Sequence, residues 1–222
     1  MEYNVVEKFA SINGEGAKTG QLAVFIRFAG CNLSCSYCDT KWANEADVKA
    51  EKMSAQDIHE YIQSTGISNV TLTGGEPLNQ YGIMELLQRL AEDSSIDVEI
   101  ETNGSIDIEP FLNISPRRPS FTLDYKLGSS GMESYMDIEN LTCVSKRDAV
   151  KFVVGSFDDI DRAKDVIEEY ELDKKTRVYF SPVFGEIDPV EIVEYMKSHY
   201  MNGVSLQLQL HKFIWDSDKR GV

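Results

Sequence analysis

The sequence predicts an α/β protein with an incomplete TIM-like β/α barrel of about six parallel strands plus a C-terminal strand. Three observations predict this class. Short β-branched runs alternate with helical stretches, which is typical of a parallel sheet covered by helices. The 222 residues are fewer than the ~250 of a closed barrel. No linker divides residues 1–222, so we expect a single domain.

The predicted strands recur along the chain. The first is "LAVFIRF" (Leu22 to Phe28), and the second is "NVTLTGG", which begins at Asn69. The others are "DVEIETNG", "SFTLDYK", "AVKFVVGS", "TRVYFSPV" and "GVSLQLQL" in chain order. Each is rich in β-branched or aromatic residues, as strands are.

The predicted helices lie between these strands. "SAQDIHEYIQSTG" has Ser54 as its N-cap, Asp57 three residues later and Gly66 at its end. "YGIMELLQRLAED" and "FDDIDRAKDVIEEY" carry apolar residues at helical spacing, and "DPVEIVEYMKSHY" places Pro189 in its first turn. No helix is expected between "FTLDYK" and Phe157, which favours a trimmed barrel.

The composition disfavours several classes of partner. A formal net charge of −15 and a pI near 4.6 make nucleic acid and anionic lipid surfaces poor partners. No apolar run is long enough to span a bilayer. The start "MEYNVVEKFA" lacks the pattern of a secretory signal, so we expect a cytoplasmic protein. The expected substrate is a small molecule.

Three of the four cysteines lie within eight residues, in "CNLSCSYCDT", which begins at Cys31. In a reducing compartment, clustered thiols indicate metal ligands before disulfides. Structural zinc would need a fourth ligand, from Cys143 or a distant histidine. A [4Fe–4S] cluster held by three thiolates would keep one iron open for a ligand. We expect Cys143 itself to be a small buried hydrophobe.

The CxxxCxxC spacing of Cys31, Cys35 and Cys38, with Tyr37 before the last cysteine, resembles the signature of radical S-adenosylmethionine (SAM) enzymes. "TGGEP" at the end of the second strand resembles the GGE motif of the same enzymes. Further segments, "SINGEG", "FIRFAGCNLSCSYCDT", "ETNGS" and "LQLQLHKFIW", resemble the 7-carboxy-7-deazaguanine synthase family. This resemblance extends from about Phe9 to Trp215, nearly the whole chain.

The resemblance implies a radical SAM carbon–nitrogen lyase with a shortened barrel. Its reaction would contract 6-carboxy-5,6,7,8-tetrahydropterin to 7-carboxy-7-deazaguanine with loss of ammonia, a step of queuosine and other 7-deazapurine biosynthesis. The implied cofactors are a [4Fe–4S] cluster, SAM and Mg²⁺, and the cluster and SAM do the radical chemistry without a further catalytic side chain. The implied partners are an electron donor, such as flavodoxin or ferredoxin, and a second copy in a homodimer.

The resemblance also assigns site residues by position. The implied metal ligands are Cys31, Cys35 and Cys38 for the cluster and Thr40 for Mg²⁺. The implied SAM contacts are Tyr37, Cys38, Asp39, Gly75, Glu76, Asp124, Tyr125, Lys126, Ser181, Pro182, Val183 and Phe184. The implied substrate contacts are Ile12, Asn13, Gly14, Glu15, Arg27, Thr73, Gln209 and His211.

Some of these residues also have a purely structural interpretation. Arg27 lies in an apolar strand, where its charge needs either a substrate carboxylate or a salt bridge. Asp39 and Thr40 fit a helix cap as well as a ligand site. Gln209 and His211 alternate with leucines, which predicts that they share one face of the last strand.

Two rival functions remain open. A radical SAM activating enzyme for a glycyl-radical partner would share CxxxCxxC and the GGEP-like turn, but "INGEG" and "QLHKFIW" speak against it. A non-catalytic zinc-binding module would be colourless, whereas an iron–sulfur protein purified without air is brown.

Overall fold

The computed structural model describes residues 1–217 and 219–222. The strands are β1 (Glu2–Ile12), β2 (Leu22–Phe28), β3 (Glu51–Ser54), β4 (Asn69–Gly74), β5 (Asp97–Thr102), β6 (Ser120–Tyr125), β7 (Ala149–Val154), β8 (Arg177–Pro182) and β9 (Val204–Leu206). The helices are α1 (Ala55–Thr65), α2 (Ile83–Glu92), α3 (Asn140–Cys143), α4 (Phe157–Tyr170), α5 (Leu172–Lys175), α6 (Pro189–Ser198) and α7 (His211–Ile214).

All of these strands belong to one sheet with the order β3-β1-β2-β4-β5-β6-β7-β8-β9. Neighbours from β2 to β9 pair in parallel, whereas β1 pairs antiparallel with both β2 and β3. Because β3 and β9 are the two edges, the sheet is an open barrel. The prediction of six parallel strands plus a C-terminal strand is therefore confirmed.

β1 and β3 are not among the predicted strands, and β9 is shorter than predicted. β1 mixes charged with apolar residues, and its half-exposed positions hide the alternation that marks a strand. β9 ends at Leu206, so the expectation that Gln209 and His211 lie on a strand is wrong. His211 instead begins the short helix α7.

Local signals set the helix boundaries as predicted. Ser54 and Asp57 form a capping box, in which the Asp57 amide donates to Ser54 Oγ at 3.2 Å and the Ser54 amide donates to Asp57 Oδ2 at 2.8 Å. Gly66 ends α1 with a φ of +67°, which glycine adopts at little cost. Pro189 opens α6.

The two faces of the parallel strands differ in chemistry. On one face, apolar residues such as Leu72, Ile100 and Phe152 join the helices in one hydrophobic core. On the other face, the alternate positions are polar or charged, as at Thr73 and Glu101. This second face encloses the interior of the open barrel. None of the helices in the described ranges is long and apolar enough to cross a membrane.

Candidate active site

A cavity of about 860 Å³ is lined by the carboxyl ends of the parallel strands and the loops that follow them. Barrels of this kind build their active sites at this edge. The predicted site residues that line the cavity are Ile12, Gly14, Glu15, Arg27, Cys31, Cys35, Tyr37, Cys38, Asp39, Thr40, Thr73, Gly75, Asp124, Lys126, Ser181, Pro182, Val183, Phe184, Gln209 and His211.

The remaining predicted residues, Asn13, Glu76 and Tyr125, are buried behind the cavity wall. Asn13 accepts a hydrogen bond from Thr71 at 2.8 Å, and its backbone N–H and C=O bond within the β1–β2 connection. The Tyr125 ring packs against Phe152 in the core, with 5.4 Å between ring centroids. None of these three residues lines the cavity, and the buried Asn13 Nδ2 has no hydrogen-bond partner among the described residues.

Glu76 has a structural role in this arrangement. Its carboxylate accepts hydrogen bonds from the backbone amides of Leu78 at 2.9 Å and Asn103 at 2.7 Å, and from the Thr102 hydroxyl at 2.8 Å. Burial raises the pKa of Glu76 to about 7, although these bonds oppose the shift. Glu76 thus joins the loop after β4 to the end of β5.

The glycines before Glu76 allow two loops to meet. The Gly75 amide donates to Phe28 O at 3.0 Å, and the Glu76 amide donates to Gly30 O at 2.9 Å. A Cβ atom on Gly75 would overlap the Gly30 carbonyl, and Gly74 has a φ of +135°. Only glycine fits this close backbone approach, which fixes the GGE turn beside the cysteine loop.

All four cysteines are free, and three of them line the cavity from one loop. Cys31 Sγ accepts hydrogen bonds from the Leu33 amide at 3.4 Å and from Asn103 Nδ2 at 3.5 Å. Burial raises the pKa of the Cys35 and Cys38 thiols, so their thiolates need a cationic partner.

Among the described residues, no three His, Cys, Asp or Glu side chains converge on a point suited to one metal ion. A [4Fe–4S] cluster binds each thiolate through a different iron, so its ligands stand further apart. Three thiols from one loop are the donor set of a cluster that keeps one iron open. Cys143 packs against the core as expected, but it is half-buried rather than buried.

Charged side chains bridge the cavity. Lys151 Nζ lies 3.2 Å from Glu15 Oε2 and 3.5 Å from Asp124 Oδ2, and Lys126 Nζ lies 2.8 Å from the same Asp124 oxygen. Burial would lower the pKa of Lys151, but Glu15 and Asp124 outweigh it and raise that pKa. Asp124 Oδ1 is buried and has no hydrogen-bond partner in the described part of the chain, so it can accept from a ligand.

Arg27 also lies at the cavity wall. Its Nε atom donates to Glu7 Oε2 at 3.0 Å, so the salt-bridge interpretation is correct for that nitrogen. Thr73, its register partner on β4, and Glu101 on β5 extend the same polar row. Burial raises the pKa of Glu101, partly offset by Lys151.

Thr40 donates its hydroxyl to Asp39 Oδ1 at 2.8 Å. Thr40 precedes the 3₁₀ turn Lys41–Asn44, but its side chain does not cap it. Burial would raise the pKa of Asp39, but this hydrogen bond and the nearby Lys212 cation outweigh it and lower the pKa. A carboxylate and a hydroxyl, both hard oxygen donors, thus lie side by side at the cavity.

The two ends of the sequence meet in the cavity. Gln209 Nε2 donates to Glu15 Oε2 at 3.1 Å, and the Leu210 amide donates to Gly14 O at 3.1 Å. His211 packs against Gly14 so closely that a Cβ atom there would lie 2.7 Å from His211 Nδ1. Burial lowers the pKa of His211, which favours the neutral imidazole.

Among the cavity residues that sequence reasoning missed are two charged residues on the parallel strands, Glu101 and Lys151. The available signal was a charge at an alternate position of an otherwise apolar strand, as in "AVKFVV". The same signal identified Arg27 but was not applied to the later strands.

Comparisons with known proteins give relatives along the whole chain. Residues 25–125 match the radical SAM superfamily. A 7-carboxy-7-deazaguanine synthase from Clostridium acetobutylicum is 59% identical over 222 residues, covering 100% of both chains. Another, from Leptospira interrogans, is 35% identical and covers 100% of this chain and 99% of the relative.

Solved structures show the same fold. The crystal structure of QueE from Escherichia coli superposes with a TM-score of 0.72 at 25% identity and covers 94% of each chain. Streptococcus suis SuiB superposes with a TM-score of 0.58 at 17% identity, covering 81% of this chain and 47% of SuiB. SuiB supports the fold alone.

Proposed function

The chain belongs to the 7-carboxy-7-deazaguanine synthase family of the radical SAM superfamily, and we propose how its cavity performs that family's reaction. It is a radical SAM enzyme that makes 7-carboxy-7-deazaguanine. The observation that carries this conclusion is the 59% identity over the full length of a synthase.

We propose that Cys31, Cys35 and Cys38 hold the [4Fe–4S] cluster of the superfamily. The cluster with SAM supplies the reducing electron and the hydrogen-atom abstraction that start the reaction. Asp124 offers its unpartnered oxygen to a SAM donor group, with Lys126 and Lys151 fixing the other oxygen. This carboxylate is therefore held in one orientation before SAM binds.

The substrate proposed for the polar interior is 6-carboxy-5,6,7,8-tetrahydropterin. The guanidinium of Arg27 binds its carboxylate, because Nε is already fixed by Glu7 and the planar fork suits a carboxylate. Gly14, Glu15 and Thr73 line the same space and offer hydrogen-bonding groups to the pterin ring. Loss of ammonia from this substrate balances the formation of the product.

Several expectations stay predictions. We propose that Thr40 ligates Mg²⁺ with its hydroxyl oxygen, next to the carboxylate that it contacts. We also expect a reducing partner protein, a homodimer and a cytoplasmic location, and we treat residues 1–222 as one domain.

One anaerobic assay tests the function. The reconstituted enzyme receives reductant, SAM, Mg²⁺ and 6-carboxytetrahydropterin, and products are identified by mass spectrometry. We expect 7-carboxy-7-deazaguanine from the wild type and from Cys143→Ala, and no product and no brown cluster from Cys35→Ala. Cleavage of SAM without a deazaguanine would reject the substrate but keep the radical chemistry. A colourless protein that binds zinc would reject both.

A further inference from the structure

The loop that follows β1 is held by the C-terminal segment at three successive positions. Glu15 and Gly14 are bonded to residues 209 and 210, as described above. The next position, Gly16, is bonded to Gln207, a residue with no role in the proposed site. Residues more than 190 positions apart are thus joined at the part of the loop that faces the substrate space.

Gln207 bonds both backbone groups of Gly16. The Gly16 amide donates to Gln207 Oε1 at 2.8 Å, and Gln207 Nε2 donates to Gly16 O at 3.0 Å. Nε2 also donates to Thr19 Oγ1 at 2.8 Å. Gln207 is 8% exposed, so loss of its amide would leave the Gly16 N–H buried without a partner, whereas Gly16 O keeps the Thr19 hydroxyl at 2.7 Å.

The position of Gly16 leaves no room for a side chain. Gly16 has a φ of +81°, and a Cβ atom there would lie 2.9 Å from Glu99 Oε1. The connection between the strands is already closed elsewhere, because the Asn13 amide bonds Gln21 O and the Gly20 amide bonds Asn13 O. The bonds from Gln207 are therefore not needed to close the connection. They fix the backbone of Gly16, the residue that follows Gly14 and Glu15.

We propose that Gln207 is a positioning residue for the pterin. It holds Gly16 so that Gly14 and Glu15 present their polar groups to the substrate, while the SAM side of the cavity does not depend on it. This proposal rests on the proposed function, since it assumes that this loop binds the pterin.

The test compares Gln207→Leu and Gln207→Glu with the wild type. Calorimetry without air on the reconstituted enzyme measures the Kd for 6-carboxytetrahydropterin and for SAM, and steady-state kinetics give kcat and KM. We expect Gln207→Leu to raise the substrate Kd and KM about tenfold, with the SAM Kd within about twofold and a smaller change in kcat. Gln207→Glu keeps an acceptor for the Gly16 amide but sets a second acceptor against Gly16 O, so it should raise the substrate Kd at least as much as Gln207→Leu.

Asn140→Leu is the matched control. Asn140 is a fully buried amide that bonds Ile106 O and the Ile108 amide at 2.9 Å each, away from the substrate loop. This variant should lower Tm but leave the substrate Kd within about twofold. If Gln207 had only a structural role, Gln207→Leu would likewise lower Tm and leave the substrate Kd within about twofold.

Two results would overturn the proposal: an unchanged substrate Kd in folded Gln207→Leu, or equal losses of substrate and SAM affinity. If Gln207→Leu does not fold, Thr19→Val decides, because it removes the Thr19 acceptor of Gln207 Nε2 together with the hydrogen bond that Thr19 Oγ1 donates to Gly16 O at 2.7 Å. We expect Thr19→Val to raise the substrate Kd by about two- to threefold, and no change would reject the proposal. A wild type that neither binds nor converts the pterin would refute the proposed function instead.

Discussion

Replacement of Lys151 by methionine removes the cation that joins Glu15 to Asp124 while it keeps most of the side-chain volume. Lys151 is 11% exposed, and its amine lies within 3.5 Å of both carboxylates. Loss of one partner from a buried ion pair costs about 3–5 kcal/mol, because the remaining charge stays desolvated.

The expected cost lies near the lower end of that range, at about 3 kcal/mol, because both acids keep other partners. Glu15 keeps Ser181 at 2.6 Å and Gln209 at 3.1 Å, and Asp124 keeps Lys126 at 2.8 Å. The control is Lys164→Met, since Lys164 pairs with the exposed Glu168 on the surface of α4. That pair should contribute less than about 1 kcal/mol.

Urea unfolding of matched anaerobic preparations measures both losses, together with Glu15→Gln and the Lys151→Met/Glu15→Gln double variant. We expect the double variant to be more stable than the sum of the single losses predicts, by more than about 0.5 kcal/mol. Additive losses, or a Lys151→Met cost no larger than that of Lys164→Met, would refute the ion-pair argument.

Three further predictions follow from the cavity wall. Gly75→Ala should prevent stable folding, because its Cβ would overlap the Gly30 carbonyl, whereas Gly66→Ala, with open space around it, should cost only about 1 kcal/mol by circular dichroism melting. Burial raises the pKa of Glu76 from 4.5 to about 7, so the stabilisation from its protonated form is full below about pH 4.5 and is lost as pH rises through about 7. Urea titrations across this range should show that decline, and Glu76→Gln should flatten it. Arg27→Lys should raise the KM for the pterin about tenfold, because lysine lacks the bidentate fork, and an unchanged KM would remove Arg27 from the substrate site.

The sequence predicted those features of the fold whose signals are local. The capping box at Ser54 and the glycine stop at Gly66 each depend on residues within one turn, and both appear where expected. The parallel strands were found because their apolar faces carry β-branched residues. β1 was missed because its pairing with β2 and β3, rather than its own pattern, makes it a strand.

Most of the site was predictable through motifs, but the direction of individual side chains was not. Tyr125 lies between two cavity residues, and strand alternation turns its ring into the core. Glu76 belongs to the GGE motif, yet hydrogen bonds from β5 hold its carboxylate behind the wall. The partner of each group lies on a different strand, so spacing within one motif does not reveal it.

The charge inside the barrel is best explained by function. Buried ion pairs contribute little net stability, and well-packed apolar residues often replace them without loss. The parallel strands carry such apolar residues at the alternate positions that face the helices. Charges occur on the interior face, where Lys151, Asp124 and Glu15 line the cavity beside the cysteine loop. Asp124 keeps a buried oxygen without a hydrogen-bond partner among the described residues, so this cavity is suited to bind a polar ligand.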